Sequence, residues 1–82
     1  MEVSLYQSAR GDMVIVPACL APPREAIREF GMLYPRDRFE TADDTAVIDV
    51  DALLERGFAS VDTAQVALLR SAQPTPGLQP HG

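Results

Sequence analysis

Tryptophan and lysine are missing from this chain, and cysteine and histidine occur once each among its 82 residues. Each absence closes a route. With His81 the sole histidine, a serine or cysteine nucleophile has one conceivable base, and it lies in a proline- and glycine-rich terminus, whereas a nucleophile needs its base within hydrogen-bond reach. A single cysteine, Cys19, permits no internal disulfide and reads as a buried structural thiol in a reducing interior. The five glycines are scattered singly, so there is no glycine-rich phosphate loop. Basic residues are scarce: seven arginines face twelve acids, for a net charge of -5 and a pI near 4.5. That balance argues against a nucleic-acid binder, whose affinity comes largely from neutralising phosphates. No apolar run approaches the roughly 20 residues that span a bilayer. The N-terminus MEVSLYQSARGD has neither the basic region nor the apolar stretch of a secretory leader, so a soluble cytoplasmic protein is expected.

What is present is enough for one small core. Hydrophobic residues make up 46% of the chain but aromatics only 6%, so the core must rest on Val, Ile, Leu and Ala. A domain of this size buries a modest share of its unfolded surface, and self-association or docking on a partner would add burial. The charge is uneven. Residues 1–41 hold six acids and five arginines, net -1; residues 42–82 hold six acids and two arginines, net -4. Asp37, Glu40, Asp43, Asp44, Asp49, Asp51 and Glu55 are the candidate partner-binding set, an acidic face suited to a basic partner. The same acids also serve solubility.

The patterning predicts a small α+β domain over residues 1–72, with an antiparallel or mixed sheet packed by two to three short helices, and a disordered tail over residues 73–82. Val3 and Leu5 mark a first strand, QSARGD a hairpin turn, and Met13 to Val16 a second strand buried on both faces. Pro22 and Pro23 open a helix, REAIREF, that directs Ile27 and Phe30 inward and stops at Gly31 in a left-handed conformation. Met32 to Tyr34 and Arg38 to Thr41 read as extended segments interrupted by Pro35. Ala46 to Val50 reads as a further strand. Asp49 or Asp51 caps a helix with Leu53 and Leu54 as its apolar stripe, ended by Gly57. Phe58 and Val61 return to the core. Asp62 or Thr63 caps a last element, TAQVALLRSA, whose good helix formers favour helix over strand, with Val66 and Leu69 buried. The expected core is Val3, Leu5, Val14, Val16, Ile27, Phe30, Val47, Ile48, Leu53, Leu54, Phe58, Val61 and Leu69.

Several constellations invite chemistry. Arg10-Gly11-Asp12 spells an adhesion tripeptide, but these are ordinary turn residues. The acids from Asp43 to Glu55 suggest a hard cation, yet the spacing fails the EF-hand pattern from either Asp43 or Asp44, and capping explains them. Paired carboxylates as general acid and base would need a shaped pocket that a chain this short has little room for. Leu53 to Arg70 admits a helix-turn-helix reading, ALLERG then FASV then DTAQVALLRS, but the second helix carries only Arg70 where a reading helix brings several donors. No catalytic residue, cofactor or metal is expected.

From Gly31 to Val61 the chain resembles small accessory proteins encoded among the head and tail-connector genes of tailed phages and prophages. The matching residues are Gly31, Tyr34, Phe39, Asp51, Ala52, Leu54, Gly57, Ala59 and Val61. Pro35-Arg36-Asp37 replaces the usual Pro-Gly turn, ETADDTAV lengthens the link to the helix, and the N-terminal half has no counterpart. The resemblance implies a non-enzymatic viral protein that works by protein binding or self-association in the host cell or virion. Two alternatives stand beside it: an acidic inhibitor of a host defence or nucleic-acid enzyme, and a helix-turn-helix DNA-binding regulator.

Overall fold

The computed structural model describes residues 1–73. In chain order the elements are β1 (Glu2–Ser8), β2 (Met13–Pro17), α1 (Arg24–Phe30), β3 (Leu33–Glu40), α2 (Val50–Arg56), β4 (Ala59–Val61) and α3 (Thr63–Ser71). The strands form one sheet in the order β3-β1-β2-β4, antiparallel at every pairing. This is the expected α+β architecture, with the sheet antiparallel rather than mixed.

The β1–β2 hairpin closes through Ser8. Its hydroxyl oxygen accepts from the amides of Arg10 and Asp12, and its carbonyl accepts from Gly11. Alternation along the paired strands then sorts side chains onto two faces. On one face Val3, Leu5, Ile15, Phe39, Ala59 and Val61 meet Ile48, Leu53, Val66 and Leu69, which come from α3, α2 and the chain before α2. On the other, Val14, Val16 and Leu33 meet Ala26 of α1 and Phe58. Because β2 lies inside the sheet with cover on both sides, Val14, Ile15 and Val16 are all fully buried, as the unbroken apolar run predicts.

Several expectations need correction. Ala46 to Val50 is not a strand: Ala46 to Ile48 form bends and Val50 opens α2. The run pairs with neither edge strand, β3 nor β4, and Ile48 instead packs into the core as a buried anchor. The Pro35 segment is not an interruption. Leu33–Glu40 is one continuous edge strand that absorbs the proline with a register shift, Leu5 facing Asp37 and Tyr6 facing Pro35. An outer strand spares the proline's missing N–H, and such a bulge takes up an extra residue, here Arg36.

On α1, Ala26 faces the sheet, while Ile27 is 40% exposed and Phe30 half-buried. A small residue lets this two-turn helix sit close over Val14 and Val16. Gly31 leaves α1 at φ 83 and ψ -163, so it stops the helix outside the left-handed helical region. On α2, Leu53 is fully buried and Leu54 is 67% exposed, because a seven-residue helix has room for one inward leucine of an adjacent pair. Val47 is half-buried.

The caps follow expectation. The Asp49 carboxylate accepts from the Ala52 amide at 3.0 Å, and Gly57 closes α2 at φ 81 and ψ 4, in the left-handed region. Asp62 accepts from Gln65 N at 2.8 Å while the Gln65 side chain accepts from Asp62 N at 2.9 Å, a reciprocal capping box that sets α3 as a helix. Gln73, assigned above to the tail, belongs to the fold. Its amide side chain receives Glu40 N at 2.7 Å and donates to the carbonyls of Glu40 and Leu69. The rest of the predicted tail, residues 74–82, lies outside the described residues.

Candidate functional site: an acidic concavity before α2

The segment between β3 and α2 is shaped by a few polar contacts. Thr45 N donates to the Ala42 carbonyl, the Thr45 hydroxyl accepts from Val47 N, and the Gln65 side chain of α3 donates to the Val47 carbonyl at 2.9 Å. With Ile48 anchored below, this loop bends back on the start of α2. Asp43, Asp44, Asp49 and Asp51 then converge on the rim of one open concavity of about 330 Å3, with Ile48 and Val50 in its lining.

The seven acids of the predicted set do not form one patch. Asp49 is occupied as the α2 cap, and Asp43 lies 3.1 Å from the α-amino group of Met1. Asp44, Asp51 and Glu55 have no cationic partner among the described residues. Glu55 follows Asp51 by one helical turn on the same exposed side of α2. Glu40 sits apart at the end of β3, 3.8 Å from the Met1 amine. Asp37 is in the middle of β3 and is already engaged: one oxygen lies 3.2 Å from Arg70 Nη2 and the other accepts from Arg38 N. The candidate surface therefore narrows to Asp43, Asp44, Asp49 and Asp51, extended along α2 by Glu55. Such a surface is rich in carboxylate acceptors, the chemistry that suits a cationic side chain. No cluster of three or more metal-ligating side chains occurs among the described residues.

A second concavity was not foreseen. A groove of about 280 Å3 runs between α3 and the β1–β3 side of the sheet. Leu5, Met13, Val66 and Ala67 give it an apolar lining, and its charged residues are Arg36 and Arg70. Arg36 is the residue displaced by the β3 bulge, so its placement depends on a register shift that no local sequence signal announces.

Other singled-out residues are resolved by geometry. Arg10 and Asp12 fold onto each other at 3.3 Å across the hairpin tip. Cys19, expected to be buried, is exposed in the turn after β2, because the chain leaves the sheet there before α1. The linker of the helix-turn-helix reading contains a strand, β4, paired with β2, so α2 and α3 are separated by sheet rather than by a turn. No helix among the described residues is long and apolar enough to cross a membrane. No family model matches the chain, and no curated protein or solved structure matches it either.

Proposed function

We propose that this chain performs no chemistry and acts as a protein-binding component of a phage or prophage virion, presenting its acidic concavity to a basic surface of the partner. The observation that carries the binding mode is the convergence of four aspartates on one open concavity, with Asp44 and Asp51 unpaired by any cation among the described residues. Charges left uncompensated on a fold that spends most of its other carboxylates on caps and ion pairs are available to steer and hold a cationic partner. The virion assignment rests on the resemblance of residues 31–61 to head and tail-connector accessory proteins.

The same acids favour a second reading, an inhibitor docking on the basic groove of a host defence or nucleic-acid enzyme. The two readings name different partners, so affinity capture from virion-producing host cells, followed by mass spectrometry, separates them. The D43N/D44N/D51N variant, which leaves the Asp49 cap in place, is expected to lose the captured partner. Washing at about 1 M salt, where screening shrinks to roughly 3 Å, is expected to release it. Capture that survives both treatments would remove the electrostatic mode. A chain that binds neither a virion protein nor an enzyme would remove both readings. A regulator reading predicts a gel shift at low salt, where phosphate contacts are strongest. With Arg70 of α3 held by Asp37, no shift is expected.

A further inference from the structure

The α3 groove and the exposed side of α2 are complementary to each other. The groove is lined along α3 by Thr63, Val66, Ala67 and Arg70, positions that share one helical face. Its floor is apolar and buried at Leu5 and Val66. On a chain of net charge -5, both charged residues in the lining are arginines. Arg70 is braced by Asp37 and lies over the Phe39 ring, 5.9 Å from its centre. Arg36 has no ion-pair partner among the described residues. At about 280 Å3 the groove falls just below the roughly 300–1,000 Å3 of small-molecule pockets and suits one or two side chains of a docking partner.

The exposed side of α2 has the opposite character. Leu54 is 67% exposed, Asp51 is its neighbour one turn earlier, and Glu55 is in turn the neighbour of Asp51 one turn later. This leucine is an apolar knob beside two carboxylates that lack cationic partners among the described residues. These two surfaces do not meet within one chain. α2 packs on β4 and β2, whereas α3 packs on β3 at the other edge of the sheet.

We infer that the groove receives the Asp51–Leu54–Glu55 face of α2 from a second copy of this chain. Leu54 enters over Leu5, Met13 and Val66, and the neighbouring carboxylates meet Arg36 and Arg70. The inference deepens the protein-binding reading above by naming a partner for its α2 side, and it rests on that reading. Because the two surfaces differ, the contact is head-to-tail, and a pair retains one open groove on one copy and one open knob on the other.

Sedimentation velocity over a concentration series at physiological salt tests it. The wild-type chain is expected to increase in mass with concentration. L54D and R36E each alter an exposed side chain, and far-UV circular dichroism checks that both fold. Each is expected to weaken self-association about tenfold or more. Mixing them is the decisive arm. L54D keeps an intact groove and R36E keeps an intact knob, so two variants that are monomeric alone should form a one-to-one dimer together. A wild-type chain that stays monomeric throughout, or an assembly that both variants leave unchanged, overturns the inference. A monomer that still captures a different protein through Asp43 and Asp44 would sink the self-docking and leave the protein-binding reading intact. A self-assembling chain that captures nothing else would do the reverse for the virion-partner assignment.

Discussion

The guanidinium of Arg56 lies 4.4 Å above the centre of the Phe58 ring. The same group reaches Glu25 at 3.1 Å and Glu29 at 3.4 Å, and Phe58 in turn meets Phe30 edge-on at 6.2 Å. One arginine at the end of α2 thus ties α1 to a fully buried aromatic ring on that side of the sheet. The ion pairs are solvent-exposed and contribute about 0–1 kcal/mol, and the ring contact roughly 0.5–1 kcal/mol. Replacing Arg56 with Ala is expected to cost about 1 kcal/mol, which lowers Tm by roughly 4–8 °C in a domain of this size. Arg56→Lys should keep part of the charge interaction and lose the fork. Phe58→Ala should cost about 3–5 kcal/mol. Thermal melts of the three variants check the order.

Leu53 and Leu54 are neighbours with opposite fates. Truncating the buried Leu53 to Ala is expected to cost about 2–5 kcal/mol, a large part of the roughly 4–12 kcal/mol that a chain of this length commands. Leu54→Ala should fall within about 0.5 kcal/mol. Urea denaturation of the two variants measures the difference, and equal midpoints would mean that α2 is rotated from the orientation described.

Acids that cap and acids that do not should separate cleanly. Asp49→Ala and Asp62→Ala each remove a side-chain acceptor from a helix start and are expected to cost about 1 kcal/mol. Asp44→Asn and Asp51→Asn remove charges with no cation partner among the described residues, and their midpoints should stay within about 0.5 kcal/mol of wild type. If Asp44 and Asp51 proved as costly as the caps, their place in a binding surface would lose its support.

Gln73 closes the molecule by clasping Glu40 and Leu69. Gln73→Ala leaves the Glu40 amide and carbonyl to solvent and is expected to cost about 1 kcal/mol. Amide hydrogen exchange at Glu40 should quicken in the variant while exchange in β2 stays slow.

Local signals made much of this fold readable. The capping aspartates, the Gly57 stop, the polar hairpin turn and the unbroken apolar run of β2 each depend on a few adjacent residues, and each is where the sequence puts it. What stayed hidden depends on distant partners. Ala46 to Val50 has the composition of a strand, yet Val50 opens α2 and the bends before it are held by Ile48 packing against distant core residues. Ile27 and Ala26 are both plausible inward residues on a two-turn helix, and the close approach to Val14 and Val16 selects the smaller. Phe39 is buried because β3 pairs with β1 from outside, a contact across more than thirty residues of sequence. For the same reason the acids of the α2 region could be picked out by composition, whereas the Arg36–Arg70 groove could not, since it exists only once the bulge has shifted Arg36 out of register.

The outer strand β3 carries Pro35, a bulge and the charges Arg36, Asp37, Arg38 and Glu40 along its exposed length. Proline and charge on an edge discourage ladder extension. Along this edge, larger species are therefore expected to be stitched by side chains, with no backbone templating of one molecule by the next. Species built that way are expected to dissolve on dilution, to seed no fresh growth, and to leave an amyloid-sensing dye dark even in concentrated stocks.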